Sequence, residues 1–237
     1  PPLAHASAAR AGLPSIAIGN FTWDWIYDGY ETFERDAPGV LETIRAAYAQ
    51  APLALRLPLH GGFASCPTVV DIPLIARRSS RARRDTRRLM GLPERGLVVL
   101  ASFGAYGLEM PFAEIARRED VSVIQPGAAL PADVEYQDLV AASDVVVSKP
   151  GYGIIAECVA NGTPLLYTSR GRFVEYDMFV ETMPGVLRCR YIPQDDLRTG
   201  AWRAHIEALL AQPDPPTHVR IDGADVAADA ILSSIGM

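Results

Sequence analysis

Lysine is almost missing from this 237-residue chain: of 22 basic residues only Lys149 is lysine. The arginine bias reflects genome composition, yet the one survivor falls inside a glycine-rich motif described below. Cysteine is scarce as well. Cys66, Cys158 and Cys189 are far apart, odd in number and without a C-x-x-C, which argues against a disulfide framework or a zinc site and for a reducing, cytoplasmic setting. No apolar run is long enough to span a bilayer, and no secretory signal pattern is visible in these residues. An excess of positive charge is lacking too. With 28 acidic residues the net charge is −6, which speaks against a general nucleic-acid binder. His5, His205 and His218 have no ligand-type neighbours in sequence, so neither a metal site nor a cofactor is expected. No G-x-S-x-G or Cys/His pairing suggests a hydrolase.

What is present is a chain 49% hydrophobic and 21% charged, suited to a substantial core. Helical patterning at Leu3–Ala11 gives way to a strand at Ser15–Gly19, a helix over Pro38–Gln50, and strands at Leu53–Leu57 and Val69–Leu74. A helix capped by Ser79 or Ser80 should run to about Met90. From there strands and helices alternate: strands at Leu97–Phe103, Val121–Ile124, Asp144–Val147, Pro164–Thr168 and Val186–Cys189, helices from Pro111, at Glu135–Ala142, Gly153–Asn161 and Glu175–Met183, then near Ala201–Leu210 and Ala224–Ile235. Such alternation predicts an α/β protein with a doubly wound parallel sheet. The boundary falls at Ile75–Arg78, giving a partial first domain over 1–75 and a complete second one over 76–237. The opening Pro1-Pro2, running at once into a helix, reads as the interior of a longer protein, so the first domain is expected to lack its opening strands.

The motif with most chemical content is Asp144-Val-Val-Val-Ser148-Lys149-Pro150-Gly151-Tyr152-Gly153-Ile-Ile-Ala-Glu157, followed by Gly162-Thr163-Pro164. It predicts a buried strand, a glycine turn opening a helix, and a second strand. Backbone N–H groups at such a helix start face an anion, usually a phosphate, and the glycines permit close approach and unusual φ. The P-loop order is not met, since Lys149 precedes the glycines, and G-x-G-x-x-G fails at Ala156. The plain structural alternative is a tight turn with a solvated Glu157.

Gly151, Glu157 six residues on, Gly162 five further and then Pro164 resemble the donor segment of two-domain glycosyltransferases of the GT-B fold, family 28-like, whose best-known type makes lipid II. Over nearly its whole length the chain is similar to the glycosyltransferase-like part at the front of plant L-arabinokinases, through Asn20–Tyr27, Arg56-Leu-Pro58, Asp71-Ile-Pro73, Ser102–Gly107 and Lys149–Glu157. The resemblance implies a GT-B-like pair of Rossmann-like domains, with the last helix, about 224–235, packing back on the N-terminal part. It implies a nucleoside-diphosphate sugar, UDP first, as donor. Glu157 would hold the ribose. Gly151, Tyr152 and Gly153 would offer N–H groups to the diphosphate beside Ser148 and Lys149. Gly104 and Tyr106 would line the cleft, and Glu175 and Asp177, near Phe173 and Tyr176, would hold the sugar. Ile154 departs from the pattern, which there has Thr or Ser as a phosphate contact.

An acceptor hydroxyl needs a general base, and Asp24 and His60 are the candidates. Asp24 sits in the aromatic segment Phe21–Tyr27, which equally reads as an amphipathic helix start. The run Arg77, Arg78, Arg81, Arg83, Arg84, Arg87, Arg88 reads as the solvated face of a helix, leaving a peripheral membrane contact open. The expectation is a glycosyltransferase with an unidentified acceptor. The alternatives are a non-catalytic sugar-nucleotide-binding module and a sugar-nucleotide epimerase or hydrolase on the same fold.

Overall fold

The computed structural model describes residues 1–103, 110–125 and 130–234. The chain forms two compact units. The first joins Pro1–Ile75 to Arg172–Phe179 and to the segment from Val219 onward; the second joins Ala76–Gly171 to Val180–His218.

The first unit carries a parallel sheet in the order β1-β2-β3, built from β1 (Ile16–Phe21), β2 (Leu53–Gly61) and β3 (Val69–Asp71). Before β1 runs α1 (Pro2–Arg10). Between β1 and β2 lie α2 (Trp23–Asp28), α3 (Phe33–Asp36) and α4 (Val40–Tyr48). Ala17, Ala54, Tyr48, Ala51, Phe63 and Cys66 form its core, with Trp23, Ile44 and Val69 packed against them. β2 outruns the predicted Leu57. A proline inside a central strand removes a ladder donor, and the ladder accommodates Pro58 with an irregularity: regular pairing runs to Gly19–Arg56 and resumes at Phe21–Gly61.

The second unit contains α5 (Arg83–Leu89), β4 (Leu97–Ser102), α6 (Phe112–Glu119), β5 (Val121–Ile124), α7 (Tyr136–Ala142), β6 (Val145–Ser148), α8 (Tyr152–Asn161) and β7 (Leu165–Tyr167). It closes with a 3₁₀ turn at Met183–Gly185, β8 (Cys189–Tyr191), α10 (Gln194–Thr199) and α11 (Arg203–Leu210); α9 (Val174–Thr182), which belongs to the first unit as far as Phe179, precedes the 3₁₀ turn. All pairings in its sheet are parallel, in the order β5-β4-β6-β7-β8. Val99, Ala101, Val145, Val147 and Leu166 pack on one side with Ile115, Trp202, Ile206 and Leu209. The alternate residues Val98, Leu100, Val146 and Leu165 are fully buried as well, so both faces are covered, as a parallel sheet requires.

After β8 and its helices the chain returns to the first unit through α12 (Gly223–Ser234). Leu74 N–H donates to Arg220 O at 2.9 Å and Gly223 N–H to Leu74 O at 3.2 Å. A Cβ on Gly223 would lie 2.0 Å from Pro73 O, so only glycine allows this approach.

Three local expectations need correction. The helix predicted from Ser79 begins at Arg83, with Ala82 as N-cap. Ser79 is engaged elsewhere: its Oγ donates to Asp138 Oδ1 at 2.6 Å and its N–H to Asn161 Oδ1 at 2.9 Å. The strand predicted at Val186–Cys189 starts only at Cys189, because the N–H groups of Val186 and Leu187 close the 3₁₀ turn onto Met183 O. The arginine run is not a uniformly solvated face. Arg87 is buried, donating to Ala142 O and to Asp144 Oδ2 at 2.8 Å, and Arg83 pairs with the same carboxylate.

Candidate functional site

In the second unit's sheet the chain goes first to β4, then outward to β5, then back across to β6. Strand order therefore reverses between β4 and β6, and ligands of open α/β sheets bind at the carboxyl ends flanking such a reversal. Ser102 and Ser148 end these two strands in register. The Ser148 hydroxyl is directed at Ser102 O and, at 3.0 Å, at Lys149 O. Ser102 Oγ in turn forms a hydrogen bond with Tyr136 Oη at 2.6 Å.

The glycine turn leaves β6 at this point. Gly151 is the N-cap of α8 with φ −152° and ψ 150°, no side chain caps the helix, and its first intrahelical acceptor, Gly151 O, bonds Ile155 N–H at 3.1 Å. The unusual φ expected of Gly151 and Gly153 is not needed: neither has a positive φ. A Cβ on Gly153 would meet no described atom within 4 Å, and one on Gly151 would meet only Arg170 Nη1, at 3.7 Å. Among the described residues packing does not demand glycine at either position. Arg170 is exposed and its Nη1 donates to Pro150 O at 3.3 Å, placing a guanidinium beside the turn. Lys149 is exposed at the same corner. Gly162 does require its freedom: it ends α8 at φ +66°, with Thr163 N–H donating to Cys158 O at 3.0 Å.

Glu157 is buried, 6% exposed, so the solvated alternative for it does not hold. Its Oε1 accepts from Arg77 Nε at 2.7 Å and also from Arg77 Nη2. The Arg77 guanidinium lies 6.0 Å from the centre of the Tyr136 ring. Asn161 fastens this corner: its Nδ2 donates to Glu157 O at 2.9 Å and to Arg77 O at 3.0 Å. Burial, and then the Glu157 charge, push the neighbouring Cys158 thiol far above its usual range, so it stays protonated.

The other described candidates, Glu175, Asp177, Asp24 and His60, belong to the first unit. Gly104 and Tyr106 fall outside the described residues. Glu175 and Asp177 belong to α9 and cluster with the first unit. Glu175 is 3% exposed and its Oε1 accepts from Asn20 Nδ2 at 2.6 Å, whereas Asp177 is exposed. Asp24 is buried in α2, its Oδ2 accepting from Ser65 Oγ at 2.7 Å. Exposed His60 precedes Gly61, the last residue of β2, in a contorted segment in which Leu59 and Phe63 have φ +55° and +74° and Gly62 +90°. Burial of the ring, then the nearby Arg56 charge, hold His60 below the ordinary histidine range. Sequence reasoning does not single out Tyr136, Asn161 or Arg170, and it places Arg77 on a solvated face. Residues 80 apart in the chain, such as Arg77 and Glu157, carry no local signal of their pairing.

No known protein-family profile matches the chain. Its fold is that of GT-B glycosyltransferases. The calicheamicin glycosyltransferase CalG4 matches with a TM-score of 0.60 and 16% identity, over 97% of this chain and 69% of that one. The glycotransferase of kitacinnamycin gives 0.59 and 20%, over 98% and 73%. Phytolacca americana UGT2, solved with UDP-2fluoro-glucose and pterostilbene, gives 0.57 and 11%, over 98% and 74%. In sequence, the particular likeness is to the L-arabinokinase of Arabidopsis thaliana, 28% identical over 244 residues and 96% of this chain. The chain spans 23% of that protein's length. Among the described residues no helix is long and apolar enough to cross a membrane.

Proposed function

We propose that the chain binds a nucleoside-diphosphate sugar, UDP first, and takes part in transferring its sugar to an acceptor hydroxyl. The observation that carries this reading is the position of the Ser148–Gly153 turn: it opens α8 at the carboxyl end of β6, where strand order reverses. The N–H groups at the start of α8 would face the diphosphate, with Lys149 and Arg170 supplying positive charge. Donors fixed in this way favour the charge that grows on a departing diphosphate. Ile154 leaves one hydroxyl contact unmade, at a cost of about 1 kcal/mol. Glu157 would take the ribose hydroxyls. Of the two candidate bases, His60 is exposed, whereas Asp24 is buried and accepts from Ser65 Oγ. The UDP-2fluoro-glucose bound by one fold neighbour supports the donor class.

A second reading is a sugar-nucleotide-binding module without turnover. What favours it is the likeness to part of a kinase. Assays of UDP-sugar consumption by the full reading frame separate the readings. Release of UDP only when an acceptor is present supports transfer. Release without acceptor points to epimerase or hydrolase chemistry, and tight binding with no release points to the module.

A further inference from the structure

Arg77 and Glu157 form an unequal pair: the Glu157 side chain is 8% exposed and the Arg77 side chain 63%. The main chain at this point is fixed, because Asn161 ties Arg77 O to α8 and holds Ser79 N–H. The guanidinium lies 6.0 Å from the Tyr136 ring centre, with most of its side chain facing solvent. A buried carboxylate stripped of its partner is costly unless other donors replace it. Two adjacent sugar hydroxyls supply two such donors. A ligand without them leaves the carboxylate unsatisfied.

We propose that Arg77 is a displaceable cap on Glu157, exchanged for the vicinal hydroxyls of a pentose and thereby selecting ligands that carry them. The proposal rests on the donor reading given above. The capped form cannot bind ribose, so apparent affinity is lowered by the fraction uncapped.

Calorimetric titration with UDP and with 2′,3′-dideoxyuridine diphosphate tests this on wild type, Arg77→Ala, Arg77→Gln, Glu157→Gln and the double variant Arg77→Ala/Glu157→Gln. Thermal melts confirm that each is folded. Freed of the cap, Arg77→Ala should bind UDP about fivefold more tightly, with Arg77→Gln moving the same way. The dideoxy ligand should gain nothing, and the gain for UDP should vanish in the Glu157→Gln background. Unchanged or weaker UDP binding by both Arg77 variants overturns the cap while the donor reading stands. Failure of wild type and every variant to bind UDP overturns both.

Discussion

At the residue scale, close approaches decide more than side-chain chemistry. A Cβ on Gly61 would lie 2.3 Å from Trp25 Cζ2, so Gly61→Ala forces the indole or the end of β2 to move. Overpacking of this kind costs about 1–3 kcal/mol, which a urea melt reads as a lower midpoint. Histidine sets a second residue-scale expectation. His5 is buried, with Nδ1 3.1 Å from Ser15 Oγ and its ring 5.6 Å from that of Tyr48. Burial first, then the positive N-terminus, lower its pKa. The unfolded chain then binds protons before the folded one does, so stability rises with pH across that interval. Stability should therefore fall as pH drops below about 6.5, the ordinary histidine value, down to the folded pKa. His60 adds in the same direction. Asp71, held down first by its hydrogen bond to Arg56, acts only below the ordinary carboxylate range. Thermal melts across these windows check the sign, and His5→Gln should flatten the histidine part.

At the scale of elements, α8 organises the corner. Its C-terminal Gly162 is left-handed at φ +66°, and Gly162→Ala should cost about 1 kcal/mol in thermal stability. Asn161→Ala removes bonds to Glu157 O, Arg77 O and Ser79 N–H together and should cost about 1–2 kcal/mol. Faster amide exchange at Ser79 would accompany that substitution. Much of this scale is legible in the sequence. Val121–Ile124 emerges with the predicted bounds; the strand predicted at Asp144–Val147 lies one residue later and the helix predicted from Gly153 starts one residue earlier, still ending at Asn161, because apolar runs and glycine punctuation are local signals. The errors arise where backbone bonds choose a longer-range or tighter partner: Ser79 bonds Asp138 instead of capping a helix, and Val186 and Leu187 close a 3₁₀ turn instead of starting a strand.

At the scale of the whole molecule, the two compact units are discontinuous in sequence. The alternation of strands and helices indicates a parallel α/β chain, but strand order and the membership of Arg172–Phe179 depend on pairings such as Asn20–Glu175, 155 residues apart. The candidate site shows the same division. Ser148, Gly151, Gly153 and Glu157 stand out in the sequence because strand, turn and helix are contiguous, whereas Arg77, Tyr136 and Arg170 join them only after folding. The account as a whole predicts a UDP site at this corner, with Glu157 touching the ligand. Calorimetric affinity for UDP, compared between wild type and Glu157→Ala in the full reading frame, tests it most directly. Removing a charged hydrogen-bond acceptor from the ligand should weaken binding about tenfold or more. Equal affinity in the two proteins, or no affinity in either, would contradict it.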